Sequence, residues 1–410
     1  MLSTEARKPR LSALILVVLF GITVAQASEA FLVQGLPSLT PFIQTDMGLT
    51  KAQLGWVTSS VWAGMTVSSI PLGFFIDVFG VRRTLLSGLT LLGALAILAS
   101  RSTSLWALYT CLFIAGVGFA SVYPSTTKAT MYWAPLSVRG TFMGIKQTGV
   151  SVGAAIAAMV LPRLALAVGW RSALATAGAI VIALGLFCYT LYREHPQERG
   201  PREAKRGKNG GSVLSTVLRS PVIWRLNIVG LFLLTCQAST TTWLILYLKT
   251  DAGYDVVLAG SVLAALQAGG MIGRLGWGAA SDVLAGGRRK PVMMCIEIMM
   301  ALSLAAVTAL GAGTPVWAVY GLAGLLGCAV MGWVPMNTIM RAELAGKEAT
   351  GTVIAVGATV GSFGSIFGPP LFGYLTDSFS SFRPAWLLLA CLGVLAFLLT
   401  WTVKEARSPD

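Results

Sequence analysis

Twelve apolar segments of membrane-spanning length divide this chain of 410 residues. A helix needs about 20 residues to cross the hydrocarbon core of a bilayer, and only helices or closed barrels satisfy their backbone there. We number the segments as spans 1 to 12: 11–34, 53–76, 84–100, 104–127, 142–168, 172–192, 222–248, 256–280, 291–311, 315–338, 349–375 and 384–403. Charged residues make up only 11% of the chain, whereas soluble domains carry about a quarter. The sequence therefore predicts an all-α integral membrane protein.

A membrane-edge signature occurs twice in the chain. Gly73-Phe-Phe-Ile-Asp77-Val-Phe-Gly80-Val-Arg82-Arg83 closes span 2, and Gly278-Ala-Ala-Ser-Asp282 with Arg288-Arg289-Lys290 closes span 8. The two aspartates are half a chain length apart, which indicates an internal duplication. We therefore expect two six-helix halves, residues 1–192 and 221–410, joined by a polar linker at 193–220. Many secondary transporters are built in this way, with a solute site between the halves.

The net charge of +14 follows the membrane topology of the chain. With both termini in the cytoplasm, 22 of the 30 Lys and Arg residues fall on the cytoplasmic side and two, Lys146 and Arg274, at membrane depth. This positive-inside bias sets orientation and explains the basic charge without a nucleic-acid partner. The start of the chain also resembles a secretory signal that ends at Ala25-Gln26-Ala27. Cleavage there would leave eleven spans and break the duplication, so we interpret the segment as span 1.

Several function classes are excluded by what the sequence lacks. The six cysteines lie singly in apolar runs, so we expect neither a disulfide framework nor a metal site. The only histidine, His195, lies in a charged loop, which excludes a histidine metal cluster or a Ser-His-Asp triad inside the membrane. A phosphate-binding Gly-x-x-x-x-Gly-Lys-Ser/Thr motif is also missing. We therefore expect no cofactor, no ATP-driven step and no enzyme activity.

The first signature resembles the motif between helices 2 and 3 of the major facilitator superfamily. Asp282 with the basic residues after it resembles the degenerate second copy between helices 8 and 9. The resemblance implies twelve transmembrane helices in two pseudo-symmetric six-helix bundles. It also implies that the motif residues latch one conformation, through carboxylates and guanidinium groups that pair at helix ends; they are Gly73, Asp77, Gly80, Arg82, Arg83, Asp282, Arg288 and Arg289. Ordinary positive-inside anchoring is the alternative.

Arg274 is the strongest candidate for substrate binding. It lies eight residues before Asp282, which places it ~12 Å from the cytoplasmic end of span 8. A guanidinium offers a planar fork of donors that matches a carboxylate. A structural ion pair is the alternative, but span 8 has no acid within a turn or two. The resemblance extends here to carriers of small organic anions and monocarboxylates, which place an arginine in a similar stretch of helix 8.

Lys146 is a second basic candidate, ~10 Å above the same surface on span 5. Helices 5 and 8 meet between the halves in the superfamily fold, so Lys146 and Arg274 would flank one anion. The alternative is that Lys146 snorkels to the inner interface. Further candidates are polar and aromatic residues on the helices expected to line the cavity, although those near span ends could be interface anchors; they are Tyr123, Gln147, Trp243, Tyr247, Gln267, Trp333 and Asn337.

Glu29 is the acid inside a span that the resemblance places on the cavity. A carboxyl group at membrane depth can take up and release a proton during transport. We therefore expect Glu29 to couple transport to protons, with an ion pair or exposure at the outer mouth as alternatives. Glu297 lies on span 9, seven residues after Lys290, and we expect it at the membrane interface.

The sequence favours a secondary transporter that takes up a small organic anion together with H⁺ across the inner (cytoplasmic) membrane. The positive excess at depth, Lys146 and Arg274 against Glu29, suits such a solute. An exporter of drugs or metabolites is one alternative. The resemblance implies an arginine within helix 4 of many proton-coupled exporters, and residues 105–127 of span 4 carry no basic residue, which weakens this alternative. A membrane sensor or scaffold that does not transport is another. We expect a monomer whose partners are the solute, H⁺ and the bilayer.

Overall fold

The computed structural model describes residues 13–135, 139–195, 218–311 and 313–403, without the side chains of residues 70, 73, 74, 77, 140, 346–348 and 351. These ranges are almost entirely helical, because a helix satisfies its own backbone in lipid. The helices are Ala13–Val33, Thr40–Met47, Lys51–Ser100, Leu105–Trp133, Arg139–Leu191, Pro221–Thr250, Val256–Val283, Arg289–Val307, Val316–Phe379 and Arg383–Trp401, with a 3-10 turn at Leu36–Leu39.

Three of these helical runs each hold two spans. Gly80 (φ 78°, ψ 167°) separates spans 2 and 3, and Gly169 (φ 80°, ψ 157°) separates spans 5 and 6. Only glycine adopts this backbone conformation readily, so each residue ends one membrane helix and starts the next. The third run, Val316–Phe379, holds spans 10 and 11. The prediction of twelve membrane helices in an all-α fold is confirmed.

The helix of span 4 is longer than its apolar segment. It begins after Ser104, whose hydroxyl accepts from the Ala107 N–H, and ends at Trp133 rather than near residue 127. Lys128 is therefore part of this helix, and its ammonium donates to the Ile76 carbonyl of span 2 at 3.3 Å. The sequence placed the end of the span too early because the hydropathy decreases several residues before the helix ends.

Helices within each half cross closely at small residues. A methyl group added at Gly153 on span 5 would collide with the Ala27 backbone of span 1, and one at Gly269 on span 8 with the Gly324 backbone of span 10. Span 12 packs on span 9. Most of the expected linker, residues 196–217, lies outside the described residues, so the linker boundaries stay a prediction.

The halves meet most closely at one end, which we call the closed end. There the Asp377 carboxylate on span 11 accepts from the Lys51 and Ala52 amides of span 2, at 3.2 and 2.9 Å. Further into the membrane, the Thr58 and Thr242 hydroxyls lie 3.3 Å apart. The opposite end carries both copies of the membrane-edge signature, and we call it the motif end.

Candidate functional site

A cavity of about 540 Å³ lies between spans 5, 8 and 10, and therefore between the two halves. Its charged lining residue is Arg274, and its polar lining residues are Gln147, Thr148 and Ser151. The rest of the lining is apolar or glycine: Met143, Gly144, Met271, Leu275, Val334, Pro335 and Ile339. Volume and composition are those of a small-molecule site with few polar groups to orient a ligand.

Arg274 is held by both neighbouring helices. Its Nε donates to the Met331 carbonyl of span 10 at 3.3 Å, and one terminal nitrogen donates to the Ser151 hydroxyl of span 5 at 2.9 Å. Close packing at Gly273, where an added methyl would meet the Cys328 backbone, brings span 10 near enough for this contact. Among the described residues, no carboxylate forms an ion pair with Arg274.

Gln147 joins Arg274 in the cavity lining, as the sequence predicts for two residues of one site. Its side-chain oxygen is buried and has no hydrogen-bond partner within the part of the chain that the structure describes. A buried acceptor left without a partner costs free energy, so the position favours a ligand that brings a donor.

Lys146 does not line this cavity. It is fully buried, and its ammonium donates to the Thr126 and Thr127 hydroxyls of span 4 at 3.1 and 2.6 Å. The same ammonium lies 4.4 Å from the centre of the Tyr123 ring. Thr126 in turn accepts from the Gln26 amide of span 1 at 2.9 Å. The structure thus places Lys146 in a polar cluster within the first half, beside the exposed Tyr123, and neither residue lines the cavity with Arg274.

Glu29, on span 1, lies on the side of span 5 from which Lys146 projects. Its side chain is 4% exposed, and one carboxylate oxygen, Oε2, has no hydrogen-bond partner among the described residues. Glu29 and Lys146 interact electrostatically without a direct ion pair in the described part of the chain. Span 1 therefore presents a buried acid to a buried base that is fixed by two hydroxyls.

A family model described as Major Facilitator Superfamily matches residues 18–288 and 275–410. The chain belongs to the Major Facilitator Superfamily. It is therefore a multi-pass membrane protein of a transporter family.

Similar curated proteins include several relatives in bacteria. The chain is 25% identical over 392 residues to a probable hexose phosphate transport protein of Chlamydia muridarum, which covers 89% of this chain and 86% of the relative. It is 26% identical over 306 residues to the membrane sensor protein UhpC of Escherichia coli, covering 70% and 69%. It is 28% identical over 255 residues to the probable sulfoacetate transporter SauU of Cupriavidus necator, covering 59% of each chain.

Solved structures of the superfamily share the fold. A bacterial homologue of the human lysosomal transporter Spinster superimposes with a TM-score of 0.79 at 16% identity, over 99% of this chain and 100% of that chain. A D-xylose-proton symporter gives a TM-score of 0.75 at 17% identity, over 96% and 98%.

The superfamily motif residues lie at the motif end. The surroundings of Gly73 and of the Asp77 side chain lie outside the described part of the structure. Arg82 donates from Nε to the Tyr189 carbonyl at 2.9 Å and stacks over the Tyr189 ring, and Arg83 is exposed beside it. The backbone at Gly80 makes the turn between spans 2 and 3.

The second copy of the motif is better defined. Arg289 forms an ion pair with Asp282 and lies 3.6 Å from the Glu343 carboxylate, on the helix that continues past span 10. Arg288 is the residue before the helix of span 9 and is exposed. This copy therefore ties spans 8, 9 and 10 of the second half to one another.

Of the remaining sequence candidates, four contact protein groups of their own half, and Gln267 contacts Gln34 of the first half. Trp243 is fully buried and donates to the Pro369 carbonyl at 3.0 Å, within an aromatic cluster that includes Phe372. Tyr247 donates to the Val307 carbonyl at 2.7 Å. Other contacts are Gln267 to Gln34 at 3.4 Å, Trp333 to Gln237 at 3.2 Å and Asn337 to the Leu226 carbonyl at 3.3 Å. None of these five residues lines the cavity with Arg274.

Two buried charges have surroundings that sequence reasoning missed. Arg341 is 6% exposed and donates to the Asn337 carbonyl and the Asn227 side-chain oxygen, both at 3.3 Å. The sequence counted it among the cytoplasmic anchors because it follows span 10, and the nearby Asn337 was the available signal of a polar interior. Glu297, expected at the membrane interface, is fully buried among protein groups and accepts from the Thr400 hydroxyl, near the end of span 12, at 2.7 Å.

Proposed function

We propose that this protein is a secondary active transporter that moves a small organic anion across the cytoplasmic membrane by alternating access. The observation that carries the proposal is Arg274, a half-buried cation in a mostly apolar cavity between the halves. Its hydrogen bonds go to a carbonyl and a hydroxyl, so a ligand is left to neutralise its charge. Ionisable groups at membrane depth commonly mark substrate pathways.

The substrate class follows from the chemistry of this lining. A guanidinium binds a carboxylate through two parallel hydrogen bonds and also suits phosphate and related oxyanions. The apolar residues would contact the carbon skeleton of the solute, and the unpartnered Gln147 oxygen would accept from a solute hydroxyl. The names of the hexose phosphate and sulfoacetate relatives support an anionic solute, and we propose a small carboxylate.

The positive-inside bias supports an orientation with the motif end and both termini in the cytoplasm. Contacts between the halves, such as Asp377 with Lys51, then lie at the outer side. In this arrangement the solute reaches Arg274 from the cytoplasmic side, and the outward-facing state requires the closed end to separate. We further propose that the motif residues around Asp77 and Asp282 latch the motif end shut in that other state.

Proton coupling is the second part of the proposal. The unpartnered Glu29 carboxylate lies within electrostatic reach of Lys146. Ionised Glu29 neutralises Lys146, whereas protonated Glu29 leaves that cation uncompensated. A proton on Glu29 would therefore add positive charge to the first half when the anionic solute is bound. This linkage favours symport of solute and H⁺.

The test compares Arg274→Lys with wild type. A thermal-shift screen of the purified protein with small carboxylates, sulfoacetate, a hexose phosphate and lipophilic cations first selects the ligand. We expect a carboxylate to stabilise the wild type most. Lysine keeps the charge but loses the fork, so affinity should fall about tenfold or more, since a charge-assisted hydrogen bond contributes roughly 1.5–3 kcal/mol.

Arg163→Lys is the matched control. Arg163 is an exposed arginine on span 5 whose contact is the Met159 carbonyl of its own helix, so binding should not change. Near-normal affinity in Arg274→Lys, with the melting temperature of the unliganded protein unchanged, would remove Arg274 from the site. Stabilisation by lipophilic cations rather than anions would favour an exporter instead.

A membrane sensor is the second candidate function, and the relative named UhpC favours it. Both functions need a solute site, so binding does not separate them. Counterflow of the labelled carboxylate in proteoliposomes does, because a transporter exchanges solute across the membrane. Tight binding without exchange would favour the sensor.

A further inference from the structure

A second groove lies on the outside of the first half, between spans 3 and 6. It encloses about 560 Å³ and is lined by Arg83, Leu86, Ser87, Thr90, Leu91, Ala94 and Tyr189. It is separate from the cavity around Arg274 and shares no residue with it. Span 3 crosses span 6 tightly just beyond the groove, where an added methyl at Gly93 would collide with the Gly178 backbone.

The lining changes character along the helix axis. Arg83, Ser87, Thr90 and Ala94 are spaced by four, three and four residues, so they form one stripe on span 3. The stripe runs from a cation through two hydroxyls to a methyl group over ~16 Å. Leu86 and Leu91 flank it. A ligand in this groove meets a charged group first, polar groups next and an apolar wall last.

The polar end of the groove is held rigid by its neighbour. Arg82 donates to the Tyr189 carbonyl at 2.9 Å, and its guanidinium lies 4.0 Å from the centre of the Tyr189 ring. Tyr189 is thereby fixed as the span 6 wall of the groove. Arg83 is exposed at the mouth, so its charge faces the groove entrance at the membrane edge.

We propose that this groove binds one anionic phospholipid. The order of chemistry along the stripe matches that of a phospholipid: phosphate at Arg83, glycerol and ester oxygens at Ser87 and Thr90, and an acyl chain along Leu91 and Ala94. Basic pockets between membrane helices are known to take anionic head groups, and a cation near the surface contributes about 1 kcal/mol. The site lies next to the loop motif, so the bound lipid contacts span 3, the helix that the proposed latch must move.

The test is native mass spectrometry of the detergent-purified protein with phosphatidylglycerol or phosphatidylcholine of equal chain length. We expect wild type to retain one phosphatidylglycerol in preference to phosphatidylcholine. Arg83→Gln should remove that preference. Ala94→Trp fills the apolar part of the groove while leaving the cation, so it should reduce binding of both lipids severalfold.

Arg219→Gln, which removes an exposed cation at the end of the linker, is the control and should keep the preference. Unliganded melting temperatures equal to wild type show that the variants fold. An unchanged preference in Arg83→Gln would overturn the proposal. Displacement of the lipid by glycerol 3-phosphate at equal concentration would also overturn it, because the site would then recognise free phosphate rather than a lipid. Equal retention of both lipids by wild type would overturn it as well, because the groove would then bind acyl chains without selecting the head group.

Discussion

At the scale of single residues, two buried acids have opposite surroundings. Glu29 on span 1 has an unpartnered carboxylate oxygen and a lysine within electrostatic reach. Glu297 on span 9 accepts from Thr400 of span 12, and these two helices pack against each other. A proton that drives transport must reach a group whose charge alters the solute pathway. These environments support the proposal that Glu29, and not Glu297, carries the coupled proton.

We expect Glu29→Gln to separate exchange from coupling. Glutamine imitates the protonated carboxyl, so the variant should still bind and exchange substrate but lose accumulation driven by an acidic exterior. The measurement is uptake of labelled substrate into proteoliposomes with and without a pH gradient, beside counterflow without one. Glu297→Gln is the matched control and should keep gradient-driven uptake. Concentration of substrate by Glu29→Gln under an acidic exterior would assign coupling to another group or ion.

Neighbouring residues 146 and 147 show what sequence could and could not predict about the site. The sequence identified both as polar groups at depth on span 5. They point to different sides, Lys146 to spans 1 and 4 and Gln147 to the cavity. That rotation is set by which helix Gly149 and Gly153 pack against, which is span 1. A single sequence gives the glycines but not their partner, so it could not separate Lys146 from Arg274.

At the scale of elements, the crossing of spans 1 and 5 depends on glycine. A methyl at Gly153 would collide with the Ala27 backbone, whereas one at Gly144 on the same helix meets nothing within 4 Å. We expect Gly153→Ala to destabilise the protein by about 1–3 kcal/mol through overpacking. Gly144→Ala should be neutral or stabilise by up to about 1 kcal/mol, because alanine favours the helix.

The measurement is the melting temperature of each purified variant in the same detergent. Gly153→Ala should melt several degrees below wild type, and Gly144→Ala at or above it. Equal melting temperatures for the two variants would mean that the crossing relaxes without cost. The Glu29–Lys146 arrangement depends on this crossing, so Gly153→Ala should also impair coupled uptake relative to wild type.

The elements themselves were largely predictable, because the membrane requires long apolar helices. The twelve spans, and the turn at Gly80 within the loop motif, follow from hydropathy and from the motif pattern. The positions of the helix ends were less predictable from hydropathy. Span 4 continues past Thr127 because its polar residues still find partners: Lys128 donates to the Ile76 carbonyl of span 2, and Thr130 donates to the Thr126 carbonyl of its own helix. Hydropathy reports what faces lipid, not what other helices satisfy.

At the scale of the whole molecule, the two ends differ in what their charged residues contact. Arg82 and Arg289 at the motif end contact groups of their own half, whereas Asp377 at the closed end contacts the other half. The motif end carries two charged loops whose repeated pattern is recognisable in the sequence. The closed end depends on Asp377, which lies 326 residues from Lys51 and belongs to no local pattern. Close backbone approach supports it, since a methyl at Gly373 would collide with the Lys51 backbone. Contacts between distant helix ends arise from the fold, so the sequence alone did not reveal this one.

We expect Asp377→Ala to open the closed end. The carboxylate accepts from two backbone amides at the start of span 2 and lies 3.9 Å from the Lys51 ammonium. Loss of a helix cap costs about 1 kcal/mol and loss of an exposed ion pair about 0–1 kcal/mol. A total of about 1–2 kcal/mol would change the ratio of closed to open molecules roughly 5–30-fold.

The readout is the labelling rate of a cysteine introduced at Thr58 by a membrane-impermeant thiol reagent. Thr58 is 5% exposed and lies against Thr242 across the halves, so its accessibility reports separation of the closed end. The six native cysteines are first replaced, and that background must retain counterflow. Asp377→Ala should raise the labelling rate severalfold. Asp251→Ala removes an exposed acid that contacts Thr250 next to it, and should leave the rate unchanged. If both variants label at the wild-type rate, Asp377 caps a helix without controlling which state the halves adopt.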